Sequence, residues 1–117
     1  MNNQIWHNRR CSKSRQTLAL LQERGIDVEI VEYLQQPPSS EQLLQVCELL
    51  DMAPQQLCRR GEARYKELGL NTEDERSAEQ WAELMVANPI LIERPVVVVN
   101  QRAALGRPPE NVLELLG

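Results

Sequence analysis

Several things are scarce or missing in this 117-residue chain, and each absence narrows its function. There is no excess of basic charge: 13 Lys and Arg stand against 17 Asp and Glu, a formal net charge of -4. Binding nucleic acid through bulk charge is therefore disfavoured, and no nucleic-acid partner is expected. No apolar run approaches the length of a membrane span, and no signal-peptide pattern opens the chain, so no membrane association is expected. Cysteines are few, odd in number and far apart, at Cys11, Cys47 and Cys58. This argues against a disulfide scaffold and for a reducing compartment, the cytoplasm. His7 is the one histidine, and no cysteine pair has zinc-ligand spacing, so no metal site is expected. Internal repeats, low-complexity segments and interdomain linkers are all lacking. The length suits one domain with a real core, 1–117, and little more.

Against this acidic background the stretch Trp6-His7-Asn8-Arg9-Arg10-Cys11-Ser12-Lys13-Ser14-Arg15 stands out. It places one cysteine among four cationic side chains, just before a run with helical periodicity. A cysteine is a good nucleophile only as the thiolate. Nearby positive charge and a helix N-terminus both lower its pKa. The same features attract an anion, because the first-turn N–H groups of a helix point outward unpaired. Nucleophile and anion site thus fall in one place.

Along the chain, Gln4–Trp6 is a short first strand. The helix after the cysteine gathers Thr17, Leu18, Leu20 and Leu21 on one side and ends at Gly25, with Ile26 folding back onto Leu21. Val28, Ile30, Val31 and Tyr33 read as a second strand, apolar on both faces and so covered. Together these make a βαβ unit with a right-handed crossover. Pro37-Pro38 stops the strand. Ser39 with Gln42, and Ser77 with Gln80, are capping boxes. They open helices carrying Leu43, Val46, Cys47 and Leu50, and Trp81, Leu84 and Met85. Pro54 begins a short helix between them. The segment from about 39 to 88 is a helical insertion. Val96–Val99 is a β-branched buried strand, Asn100-Gln101 a turn, Arg102–Leu105 an antiparallel return, and Glu110–Leu116 a last amphipathic helix. The order has the outline of an α/β, thioredoxin-like three-layer fold: a four-stranded mixed sheet with a helical insertion.

Arg59, Arg94 and Arg107 each sit at an element boundary near a glycine or proline. Boundaries of α/β units cluster at the sheet ends where ligands bind. Guanidinium groups grip tetrahedral oxyanions in bidentate fashion. Spacing alone does not bring the three together.

The motif His7-Asn8-x-x-Cys11-x-x-Ser14-Arg15 resembles the active-site loop of the glutaredoxin-coupled arsenate reductases. Leu57-Cys58-Arg59, then Asn88 through Val97, then Gly106-Arg107-Pro108-Pro109-Glu110 resemble that family's later signatures, in order and over nearly the whole chain. The resemblance implies Cys11 as nucleophile. It implies Arg59, Arg94 and Arg107 as holders of arsenate or a similar oxyanion. His7 would help keep Cys11 ionised, with Ser14 and Arg15 shaping the loop. It further implies glutathione as co-substrate, glutaredoxin as partner and no bound cofactor. Arg9 stands where the family usually carries proline, which implies a less rigid and more basic loop. Two alternatives are a glutathione-linked thiol oxidoreductase of other substrate and an Spx-like RNA polymerase-binding regulator. The latter carries cysteine where Ser14 stands. Cys58 could act as a local resolving thiol or simply pack in the core.

Overall fold

The computed structural model describes residues 1–116. Its contacts separate into two units: Met1–Gln36 together with the stretch from Arg94 onward, and Pro37–Glu93.

The first unit holds the sheet. Its strands are β1 (Gln4–Trp6), β2 (Glu29–Val31), β3 (Val96–Val99) and β4 (Arg102–Leu105), in the spatial order β2-β1-β3-β4. β1 pairs parallel to β2, with Ile5 opposite Ile30, through a crossover that contains helix α1 (Ser12–Glu23). β1 also pairs antiparallel to β3, and β3 to β4, which places Val97 between Ile5 and Ala104. The sheet is therefore mixed. Its inner strands β1 and β3 are buried at every position, as the β-branched run 96–99 leads one to expect.

The second strand departs from expectation. β2 is an edge, with Glu29 and Ile30 exposed, not a strand covered on both faces. Edges can be protected by charge rather than cover, and Glu29 serves on this edge as Arg102 does on β4. The β3–β4 turn has Asn100 at φ 53° and Gln101 at φ 62°. Two consecutive left-handed residues suit the right-handed twist of a two-residue hairpin.

Period-two alternation turns Ile5, Val97 and Val99 to one face, where they pack with Leu21, Val112 and Leu115. Burying Leu21 fully contributes about 1.5–3 kcal/mol. α1 closes as expected: Gly25 is left-handed at φ 69°, its N–H donates to the Gln22 carbonyl, and the Ile26 N–H donates to the Leu21 carbonyl. The last helix, Pro109–Leu116, is 3₁₀ rather than α. Its buried residues Pro109, Val112 and Leu115 recur every three positions, the period of a 3₁₀ turn.

The second unit is helical: α2 (Ser40–Leu50), a 3₁₀ turn at Pro54–Leu57, α3 (Ala63–Glu67), α4 (Ala78–Ala87) and a 3₁₀ turn at Pro89–Leu91. Both capping boxes form, Ser39 with Gln42 and Ser77 with Gln80. α2 buries Leu43, Val46 and Cys47; α4 buries Trp81, Ala82 and Met85. The short α3 ends at Gly69, left-handed at φ 64°. No helix among the described residues is long and apolar enough to cross a membrane.

Candidate active site

The loop between β1 and α1 is turned by Asn8. Its side-chain oxygen accepts the Arg10 N–H at 3.0 Å, and its carbonyl accepts the Cys11 N–H at 3.0 Å. An Asx turn of this kind reverses the chain without glycine. Ser14, fully buried, holds the loop from the helix side. Its Oγ accepts the Asn8 N–H at 3.1 Å and lies 2.6 Å from His7 Nδ1.

Arg9, the position where the loop was expected to be less rigid, is tied down in two ways. The Arg15 guanidinium donates to the Arg9 carbonyl at 2.9 Å, and the Arg9 guanidinium meets the Glu32 carboxylate at 2.7 Å. The ion pair is largely exposed and stabilises little by itself. It still holds the loop against the chain just after β2.

These contacts leave Cys11 at the N-cap of α1, with extended backbone, φ -91° and ψ 120°. Its carbonyl accepts the first helical bond, from Arg15. The sulfur makes no formal cap hydrogen bond, but its surroundings favour the thiolate. Partial burial pushes the pKa up. The Ser14 amide, the Arg94 guanidinium and the Lys13 amide together outweigh it, and the pKa falls below the ordinary thiol value. A thiolate at the N-cap occupies the place where a serine or aspartate oxygen would accept the N2 and N3 amides.

His7 behaves differently. Burial drives its pKa below the ordinary value; Glu32 opposes that shift, and the cations Arg9 and Arg15 reinforce it. In the neutral ring, the simplest arrangement that satisfies both groups has Ser14 O–H donating to Nδ1 while Oγ accepts from Asn8. The groups that lower the Cys11 pKa are Ser14, Arg94 and Lys13. His7 reaches the cysteine loop through Ser14.

Two of the three singled-out arginines come together in the sheet unit. Arg94 precedes β3 across a cis bond to Pro95, and its side chain meets the Cys11 sulfur. Arg107 follows β4, also before a cis proline, and its guanidinium donates to the Arg94 carbonyl at 3.2 Å. The Gly106 N–H donates to the Pro95 carbonyl at 3.0 Å, drawing the two proline loops side by side. Arg59 belongs to the helical unit. Its N–H donates to Leu91, and its guanidinium sits 3.3 Å from Glu62 and 3.6 Å from Glu93.

Cys47 and Cys58 are buried, and burial pushes each thiol up to about 11. Cys58 is thus a packed thiol, and its suggested part as a resolving cysteine loses its chemical basis. Tyr33 is a residue that sequence reasoning read only as strand. It is fully buried just beyond β2, and its electrostatic influence helps keep Arg94 charged against burial. Its one cue in the sequence is its place at the C-terminal end of a strand, where α/β sheets bind ligands.

The fold and site define a thioredoxin-like protein whose first helix is capped by a cysteine of lowered pKa under the influence of an arginine. The ArsC family model matches residues 6–115, and the chain belongs to that family. It is 42% identical over 113 residues to an arsenate reductase of Neisseria meningitidis serogroup B, covering 96% of each chain. It is 47% identical over 114 residues to uncharacterized protein YfgD of Escherichia coli (strain K12), covering 97% of this chain and 95% of that one. The structure superposes on an arsenate reductase from Vibrio cholerae with a TM-score of 0.90, at 43% identity and 98% coverage of both chains.

Proposed function

We propose that this protein is a cytoplasmic arsenate reductase that uses glutathione and glutaredoxin. The observation that carries the reading is the Cys11 sulfur at the N-cap of α1, met by the Arg94 guanidinium and the amides of Lys13 and Ser14. A nucleophile and a cationic anion grip there share one point. The relatives named arsenate reductase supply the substrate.

In this reading the Cys11 thiolate attacks arsenic and forms an S–As bond, and a protonated arsenate oxygen leaves as water. Arg94 and Arg107 hold the remaining oxygens and balance the charge that builds on them. A glutathione thiolate then attacks the Cys11 sulfur. The new S–S bond forms, the S–As electron pair passes to arsenic, and arsenic(V) leaves as arsenite. Glutaredoxin attacks the glutathione sulfur of the mixed disulfide and returns Cys11 as thiolate. The covalent intermediate divides one difficult reduction into easier steps. An external thiol is required because Ser14 stands where a resolving cysteine would be. His7 and Ser14 shape the loop, and Arg15 braces it through the Arg9 carbonyl.

The test is arsenite formation from arsenate with glutathione and glutaredoxin, compared with Cys11→Ser. The variant is expected to make none. Equal arsenite from both proteins would refute the reading. A reactive Cys11 with no arsenite from the wild type would turn it into a glutathione-linked reductase of another substrate.

A further inference from the structure

We propose that Gly106 and Thr17 are positioning residues of this site: Thr17, on the buried face of α1, seats the bare backbone of Gly106 and so fixes where Arg107 is held relative to Cys11. The proposal rests on the reading that Cys11 and Arg107 meet one oxyanion, and adds two residues that act on it only through Arg107.

Gly25 and Gly69 are the left-handed glycines among the described residues, so the backbone at 106 does not itself call for glycine. Space does. A Cβ added at Gly106 would lie 2.3 Å from Thr17 Oγ1, 2.8 Å from Thr17 Cγ2 and 2.7 Å from Pro95 Cγ. Carbon atoms rest against one another at about 3.5–4.0 Å. Gly106 is buried in this crevice, and Thr17 is fully buried. Thr17 is not free to swing aside. Its hydroxyl donates to the Lys13 carbonyl at 2.7 Å, and the Gly106 carbonyl lies 3.4 Å from the same oxygen. On the other side, the Gly106 N–H donates to the Pro95 carbonyl at 3.0 Å. The glycine is clamped between α1 and the loop before β3.

Ser14, Thr17 and Leu21 form the buried stripe of α1. Ser14 orders the cysteine loop through His7 and Asn8. Thr17, about 4.5 Å further along the axis, seats the residue before Arg107. One rigid helix therefore places both the sulfur at its N-cap and the loop that carries Arg107. Beyond the clamp, the Arg107 guanidinium donates to the Arg94 carbonyl at 3.2 Å, and the Arg107 carbonyl accepts from Asn111 Nδ2 at 3.0 Å. A methyl group at 106 would drive this loop off α1 by about 1 Å to reach ordinary contact. A misplacement of about 1 Å in a positioning element can cost up to a hundredfold.

The experiment measures, in the full-length protein, the arsenate concentration that half-protects Cys11 from iodoacetamide, read by peptide mass spectrometry. Gly106→Ala should raise it roughly tenfold. In an Arg107→Ala background the same substitution should change nothing. Thr17→Ala removes both Thr17 atoms from the crowded space, and added to Gly106→Ala it should restore part of the lost protection. An unmoved concentration, an equal rise with and without Arg107, or no recovery on adding Thr17→Ala would overturn the proposal. Circular dichroism separates these results from unfolding. Should Gly106→Ala not fold, Thr17→Ala alone decides. It takes away the surface on which Gly106 rests, and should weaken protection roughly twofold or more while Arg107 is present; unchanged protection would overturn the proposal. A second readout needs no arsenate. Phenylglyoxal reacts with guanidinium groups, and Gly106→Ala should speed its reaction at Arg107 about two- to tenfold as the bond to Arg94 is lost. Absence of arsenate protection in the wild type would count against the proposed function alone, and unchanged Arg107 modification would count against Gly106 and Thr17 alone.

Discussion

His7 Nδ1 lies 2.6 Å from Ser14 Oγ, inside a contact that both side chains bury. It ties the end of β1 to the first turn of α1 and sets the reach of the loop between them. The Asn8 N–H, donated to the same Oγ, makes Ser14 the centre of the turn.

The His7 ring makes stability depend on pH in a defined window. Burial holds its folded pKa below the ordinary 6.5. The unfolded chain therefore takes up a proton near pH 6.5 that the folded chain refuses until lower pH. Stability from this ring is full above pH 6.5 and is lost as pH falls toward the folded value. His7 is the one histidine in the chain, so the slope just below pH 6.5 is assigned to it. The urea midpoint of the wild type should drop as pH falls from 7 into this window. That of His7→Asn should drop less. Parallel curves would contradict the assignment.

The three thiols should separate cleanly by reactivity. Cys11 should alkylate with an apparent pKa below the ordinary thiol value, whereas Cys47 and Cys58 should resist until near pH 11. Arsenate should protect Cys11. Cys58→Ala should retain turnover, and its loss would return Cys58 to the redox chemistry.

Arg94 and Arg107 should fail in different ways. A hydrogen bond to a charged group contributes about 1.5–3 kcal/mol. Alanine at either position should therefore weaken oxyanion affinity by roughly ten- to a hundredfold. Only Arg94 acts on the sulfur directly. Arg94→Ala should thus raise the Cys11 pKa, and Arg107→Ala should leave it in place. Titration of Cys11 alkylation in both variants checks this, and indistinguishable profiles would refute the division.

The capping box of α2 gives a prediction confined to stability. Ser39 Oγ accepts the Gln42 N–H at 3.1 Å, and Gln42 returns a contact at 3.0 Å. Ser39→Ala should cost about 1 kcal/mol in urea unfolding. An unchanged urea midpoint in the variant would refute the cap's contribution.

Much of this was legible in order along the chain. Gly25 followed by Ile26 marked the end of α1, and Ser39 and Ser77 marked helix starts, because caps depend on neighbours a few residues away. The run 96–99 marked an inner strand. The apolar residues of the second strand predict cover on both faces, and Ile30 is exposed. Apolar residues alone do not tell an edge from a centre. The last helix was read as amphipathic, and its buried spacing of three only shows which helix it is once the sheet selects the buried face.

The sequence by itself determined where the helix-capping cysteine lies and what surrounds it locally. The N-cap place of Cys11, the Asn8 turn and the link from His7 to Ser14 are short-range, set by backbone geometry within a few residues. Only the tertiary structure decided which distant groups act on the sulfur. Pairing of β3 beside β1 carries Arg94 to Cys11, and the β4 return sets Arg107 against the Arg94 carbonyl. These groups act over a few ångströms in space and over most of the chain in sequence, and strand order, which no local pattern encodes, joins the two.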